Sequence, residues 1–465
     1  MKSIDAVLDQ VDANLSASVD KFVRFLAFPS VSSQPDGKDG IEACAEWLRF
    51  ELEGLGLEAR IVRTSGHPVV MGTSRPASGS LRVLLYGHYD VQPAEPLDAW
   101  TTPPFEPEFT DEDGLKRIYA RGASDSKSQV WSVIEALRAW KETEGAIPVD
   151  VTVLLEGEEE TGSPSLPAFV DAYRDELACD VAYISDSDMW SPTRPAITTR
   201  LKGLLHEKIT IVAPNSDLHS GQFGNVAVNP LRVLAKVLAS IHDDQGRVTI
   251  DGFYDGVSPL PTTLREQWGA LDLGEALAGV SVAGGPDEGG HGTVELMWGR
   301  PGIDFNGIVA GNTGPGERSV LPSSASARLS FRLVGEQRPE HIRTIFRKFV
   351  ENRLPPGCSV EFEGIGGNAA VSVNEASPYL MATARALDAE WTERTLIKGT
   401  GGTVPLVGLL TDRLGVDCIV TGFILADDAI HAPNERYDVE RLRKGIRSWA
   451  RILSELRDEK PSPLR

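Results

Sequence analysis

Two histidines and a set of carboxylates stand in this chain where apolar runs stop. Gly87-His88-Tyr89-Asp90 follows the apolar run at 81–86. Residues two apart in extended chain face the same side, so His88 and Asp90 can share one cleft. Asp90 would then accept the free ring N–H of His88 and raise its basicity as a metal ligand. A surface turn ending at Pro93 would show the same spacing. Arg121-Gly122-Ala123-Ser124-Asp125-Ser126-Lys127 opens a helical pattern, where Asp125 is either an N-cap or a ligand. Glu158, Glu159 and Glu160 follow the run at 150–155. Acid runs are commonly solvated faces, but at the mouth of a buried strand their repulsion must be offset by cations or protons. Asp186 and Asp188 end another apolar run, and His431 stands in a polar loop before the last helical pattern.

Mixed nitrogen and oxygen donors of this kind suit zinc, and also manganese or cobalt, better than calcium or a redox copper site. Two such ions about 3.5–4 Å apart on a shared carboxylate polarise an amide carbonyl and lower the pKa of a bridging water. A neighbouring carboxylate then serves as general base and afterwards protonates the leaving amine. A triad hydrolase is the competing chemistry, but the chain holds no GxSxG elbow and no phosphate-binding loop.

The elements that must position these residues read as two interleaved units. Up to about residue 200, a helical pattern at 41–55, a strand at 81–86, a helix at 127–142 and strands at 150–155 and 181–185 alternate as in an α/β layered domain. A strand at 204–213, a helix at 229–242, strands near 304–310 and 325–334, a helix at 339–353 and a strand at 358–364 follow. That order fits a ferredoxin-like sandwich, with a Gly/Pro/Asp-rich insertion at about 243–300. A strand at 418–424 and a helix at 438–457 close the chain. The expected architecture is α/β: a catalytic domain with a mixed, mostly parallel sheet flanked by helices (1–200 and 378–465), into which an α+β domain (201–377) is inserted.

Composition narrows the partners. With 46 basic and 67 acidic residues among 465, the formal charge is −21, which argues against nucleic acid and anionic membrane surfaces. Cys44, Cys179, Cys358 and Cys418 lie far apart, against a zinc ribbon or a disulfide framework. The first residues lack a signal-peptide pattern, and no run of 18 apolar residues occurs. A cytoplasmic setting is expected.

Taken in order, GHYDVQP, RGASDSK, EGEEETGS, ISDSD, DLHSG, SASARLSFRL and AIHAPNE resemble the co-catalytic metallopeptidase family of aminoacylases, carnosinases and cytosolic nonspecific dipeptidases. The form HYDVQP is similar to the dipeptidase branch. The resemblance spans about residues 20–455 and implies a hydrolase of dipeptides or short peptides, with an N-acyl or N-carbamoyl amino-acid amidohydrolase as the alternative. By the same resemblance, His88 and Asp186 hold one metal, Glu160 and His431 the other, and Asp125 bridges them. Glu159 is the implied general base and Asp90 the acid behind His88. His219 is the implied oxyanion donor, lent across a homodimer of lid domains, and Arg332 the holder of the substrate carboxylate. Ser319 and Thr403 fall where the dipeptidases have hydroxyls near the substrate. Zinc is the implied ion, two per subunit, and a cis peptide is implied at Asp125–Ser126. The chain departs from the family at Ser128 and Asn225, where glycines are usual, and at 399–403, where the usual arginine is missing.

Overall fold

The computed structural model describes residues 4–74, 80–273, 288–312, 314–402 and 404–460. Thr403 lies outside them. Two compact units result: one comprises residues 1–199, 373–397 and 409–465, the other residues 200–372 and 398–408.

The first unit is built on a mixed sheet. Its strands run in the order Glu58–Val62, Val69–Thr73, Asp150–Glu156, Arg82–His88, Val181–Ile184, Asp417–Thr421, Ala196–Leu201. The central pairs are parallel, with Arg82–His88 between Asp150–Glu156 and Val181–Ile184, and Asp417–Thr421 beyond. The flanking pairs are antiparallel. The central strands are near-continuous apolar runs because helices cover both faces of a parallel sheet. Val83 to His88 and Val181 to Ile184 are buried without interruption.

Helix Lys127–Glu144 is buried on nearly every side. The indole N–H of Trp131 donates to the carbonyl of Ser18 in helix Ile4–Leu26, and that of Trp140 to Ala450 in helix Val439–Arg457. Trp47 stacks on Phe25 at 5.2 Å between centroids and meets Trp131 at 5.4 Å. The parallel arrangement brings the carboxyl ends of three adjacent strands together, and His88 pairs in register with Glu156. Open α/β sheets hold ligands at this end. Strand Asp417–Thr421 stops earlier than its hydropathy suggests. At Gly422 the backbone runs so close to Ser187 that a Cβ would lie 2.3 Å from its carbonyl oxygen. A separate antiparallel sheet, Arg436–Asp438, Leu115–Tyr119 and Glu108–Glu112, pairs Arg436 with Tyr119. That pairing lays the chain before Asp125 beside the chain after His431.

The second unit carries the β-α-β-β-α-β order. Its four-stranded antiparallel sheet runs Gly302–Ala310, Ser324–Leu333, Gly203–Val212, Ser359–Asn368. Helices Pro230–Ala239 and Pro339–Glu351 bury Leu234, Ile342 and Phe346 with Leu205, Ile209 and Phe331 of the sheet in one core. Alternation along Gly203–Val212 is strict, one residue buried and the next half-exposed, as a one-sided sheet requires. The Gly/Pro/Asp-rich insertion is not merely loop: helices Thr262–Gly269 and Thr293–Gly299 form in it and place Trp268 edge-on to Trp298. Among the described residues, no helix is long and apolar enough to cross a membrane.

Candidate metal centre

His88 ends its strand fully buried. Its Nδ1 lies 3.1 Å from the backbone carbonyl of Asp90 and 3.4 Å from that residue's carboxylate. With an acceptor on that side, the proton of the neutral ring belongs on Nδ1 and the lone pair on Nε2. Nε2 faces Asp125 Oδ1 at 3.2 Å and Asp186 Oδ2 at 3.8 Å. The second oxygen of Asp125 faces His431 Nε2 at 2.9 Å, and that nitrogen is 3.3 Å from Glu160 Oε2. Two groups of one nitrogen and two oxygens result, His88/Asp125/Asp186 and Asp125/Glu160/His431, and they share Asp125. In each, the donor atoms lie within 4.8 Å of one another.

The electrostatics fit cations. Burial works against a charge on His88, yet hydrogen bonds to Asp125 and Asp90 carry its pKa well above the ordinary imidazole value. Hydrogen bonds to Asp125 and Glu160 push His431 up to about 10. Burial pushes Asp186 up to about 8, and the neighbouring carboxylates add to it. Burial acts against the charge of Asp125, but its bonds to His431 and His88 hold it well below the usual carboxylate range. These directions mark a site whose clustered carboxylates favour positive charge between them. Glu160 Oε1 is moreover buried with no hydrogen-bond partner, a cost that a bound cation would remove. The donor set therefore fits two divalent ions of the zinc, manganese or cobalt kind.

The members of the acid run separate. Glu158 turns away from the cleft and accepts the backbone N–H groups of His67 and Ser165 at 2.8 and 3.2 Å. Glu160 joins a donor group, whereas Glu159 belongs to neither. Burial raises the Glu159 carboxyl, with His88 lowering it and Glu160 raising it again. The Asp90 carboxylate accepts the backbone N–H groups of Glu159 and Glu160 at 3.2 and 3.1 Å, so it holds the acid run as well as flanking His88. Asp188 stays outside both groups.

Several supporting residues have no role assigned from the sequence, although Gln92 and Glu435 lie inside the motifs GHYDVQP and AIHAPNE. Gln92 donates to Glu160 Oε2 at 2.7 Å. Buried Asp428 takes the hydroxyl of Ser124 and the guanidinium of Arg441. Buried Glu435 receives the backbone of the Asp125 loop. The partners that give these positions their roles lie 68 residues away for Gln92 and more than 300 for the bonds of Asp428 and Glu435 to the Asp125 loop. The peptide between Asp125 and Ser126 is cis, as is Glu95–Pro96. His431 itself has φ of 59°, uncommon for a residue other than glycine.

In the second unit, His219 ends the short strand Leu218–His219, is exposed, and accepts the N–H of Gly221 on Nδ1 at 3.1 Å. The carbonyl of Ser319 accepts the N–H of Ser220 at 2.9 Å, which puts Ser319 beside His219. Arg332 stands on Ser324–Leu333, paired with Leu204 and Gly302. Thr403 falls outside the described residues.

The sequence model of peptidase family M20/M25/M40 matches residues 84–455. A Cys-Gly metallodipeptidase of Candida albicans is 28% identical, over 97% of this chain and 96% of its own length. A human Beta-Ala-His dipeptidase is 28% identical, over 84% of this chain and 77% of its own. The crystal structure of an M20 family metallo-carboxypeptidase from Sulfolobus solfataricus superposes with a TM-score of 0.76 at 29% identity, covering 95% of this chain and 99% of that one. By the span of the family match and the agreement of fold, the chain belongs to peptidase family M20/M25/M40.

Proposed function

We propose that the protein is a two-metal dipeptidase, hydrolysing the amide bond of dipeptides or short peptides. The observation that carries this reading is Asp125, whose two oxygens each complete a separate donor group. His88 and Asp186 would hold one ion, Glu160 and His431 the other, and Asp125 would serve both, with zinc the expected metal and manganese or cobalt able to replace it. When bound, the ions polarise the scissile carbonyl and lower the pKa of the attacking water.

The remaining chemistry belongs to the side chains. Glu159, outside both donor groups, takes the proton of the attacking water and returns it to the departing amine. It must be ionised to do so. Asp90 keeps the proton of His88 on Nδ1 and holds Glu159 and Glu160 by their N–H groups. His219 supplies a donor to the developing oxyanion, the Arg332 guanidinium grips the substrate carboxylate, and Ser319 offers its hydroxyl to the substrate, the role the resemblance also implies for Thr403. In this reading the second unit is a lid and dimerisation domain, and the chain works as a homodimer. Its four free cysteines accord with a cytoplasmic setting. The names of the relatives support a peptide substrate: Cys-Gly for the Candida albicans protein and β-Ala-His for the human one.

The test is a substrate panel with metal-reconstituted enzyme. Dipeptides should be cleaved with kcat/KM at least about tenfold above N-acyl and N-carbamoyl amino acids, a gap of about 1.4 kcal/mol in transition-state stabilisation. A reversed order would make the protein an amidohydrolase of the deacylase kind.

A further inference from the structure

The buried carboxylate of Glu435 belongs to neither donor group, yet it is among the most heavily bonded side chains near them. Its Oε2 accepts Arg121 Nη1 at 2.9 Å and the N–H of Gly122 at 2.8 Å. Its Oε1 accepts the N–H groups of Ser124 at 2.8 Å and Asp125 at 2.9 Å. The backbone joins in, since Ala120 N–H donates to the Glu435 carbonyl at 3.1 Å. At the other end of the same loop, Asp428 takes the Ser124 hydroxyl at 2.5 Å and the Arg441 guanidinium at 2.5 and 3.0 Å. The chain from Asp428 to Glu435 is thereby clamped at both ends to the chain from Arg121 to Asp125, and His431 lies between the clamps.

We infer that Glu435 is a positioning residue for the metal centre, which sets the backbone of Asp125 so that this aspartate can meet two ions at once. The inference rests on the two-metal reading above. An aspartate has one methylene between backbone and carboxylate, so a tilt of the backbone carries almost undiminished to the oxygens. A ligand to one ion can adjust by a rotamer change. A ligand whose two oxygens must serve two ions cannot adjust for one without leaving the other. Glu435 bonds the N–H of Asp125 itself and of its neighbour Ser124, which leaves the loop little freedom to tilt. It also ties the loop of Asp125 to the loop of His431, so two ligands remote in sequence move as one body. Arg121 pairs with Glu435 at 2.9 Å and offsets its charge, and the three bonds to the loop backbone make its effect on Asp125 chiefly one of geometry.

The decisive variant is Glu435→Asp. It keeps the charge and both oxygens but withdraws them by one methylene, about 1.5 Å. Metal-free protein is titrated with Co2+ and followed by its visible absorption, with the wild type and Glu160→Gln alongside. Both cobalt dissociation constants of Glu435→Asp should rise together, by about 10- to 100-fold, as for other residues that orient metal ligands. Glu160→Gln should lose one ion and keep the other. Turnover of Glu435→Asp should recover as metal is raised, and metal should raise its melting temperature less than it raises that of the wild type. A merely structural role lowers the melting temperatures of metal-free and loaded protein equally and leaves both constants unchanged, which would overturn the inference. If the wild type itself binds fewer than two ions, the two-metal reading fails first. Should Glu435→Asp not accumulate as folded protein, Arg121→Lys is titrated instead: it keeps Glu435 and the charge but loses the guanidinium fork. A smaller parallel rise in both constants is expected there, and unchanged constants overturn the inference.

Discussion

Replacing Glu159 and Glu160 in turn by glutamine separates base from ligand within one acid run. The two side chains differ in environment although they are adjacent. Glu160 Oε2 lies 3.3 Å from His431 Nε2 inside a donor group, held by Gln92. Glu159 lies outside both groups, and its tie to Asp90 uses the backbone N–H, which the substitution leaves intact. Glu159→Gln should therefore retain two ions per chain at saturating metal while losing the proton acceptor. A positioned general base contributes about 10²–10⁴ in rate, which at 1.36 kcal/mol per decade is about 2.7–5.5 kcal/mol. Because the loss falls on the chemical step, kcat and kcat/KM should drop together with KM little changed. Glu160→Gln leaves one nitrogen and one oxygen to the second ion, so its stoichiometry should fall to one at metal concentrations that fill the wild type. Elemental analysis of dialysed protein reads the stoichiometry, and initial rates over a range of substrate and metal read the kinetic split. If Glu159→Gln loses an ion, or if the two variants cannot be told apart by metal content, the division of roles within the acid run is wrong.

Chelation should abolish activity and leave the far-ultraviolet circular dichroism spectrum unchanged, because each unit buries a substantial apolar core of its own; loss of the spectrum on chelation would show that the fold needs its metal. Metal affinity should increase with pH from neutrality toward about 10, since an ion must displace the protons held by His431, raised to about 10 by Asp125 and Glu160, and by Asp186, raised to about 8 by burial; calorimetric titration in buffers of different ionisation enthalpy should show proton release, and a pH-independent affinity would contradict it. For the metal-free protein the sign is opposite, because the stabilisation from the raised His431 is complete below about pH 6.5 and fades as pH approaches about 10, so its melting temperature should decline across that window. Mixing inactive Glu159→Gln with inactive His219→Ala under subunit exchange should restore roughly a quarter of the sites, since half of the dimers are then mixed and each of these has one site without a defect; no recovery despite verified exchange would confine His219 to its own subunit or place it outside catalysis.

Much of the architecture is legible without coordinates because it rests on local periodicity. The helix expected at 127–142 forms as Lys127–Glu144, and the strand expected at 204–213 as Gly203–Val212. Three of the five proposed ligands, His88, Glu160 and Asp186, stand where an apolar run gives way to a polar turn, whereas Asp125 and His431, in polar loops before helices, are singled out by the resemblance of RGASDSK and AIHAPNE. Periodicity misplaces ends: the strand expected at 418–424 forms as Asp417–Thr421, and pairing resumes beyond it as the single bridge of Ile424 with Asp188.

Residue types and order alone determined that nitrogen and oxygen donors would gather at strand ends, and which chemistry such donors serve. They did not determine which carboxylate does what. Glu158, Glu159 and Glu160 are identical in type and adjacent, and only the fold sends one to the backbone of His67 and Ser165, leaves one outside both donor groups, and brings one to His431. Nor could sequence join Arg121 to Glu435 or Ser124 to Asp428, pairs more than 300 residues apart. Those bonds exist because the pairing of Tyr119 with Arg436 lays two remote loops side by side. Buried charges must then find partners across that contact, since a carboxylate withdrawn from water without one costs several kcal/mol.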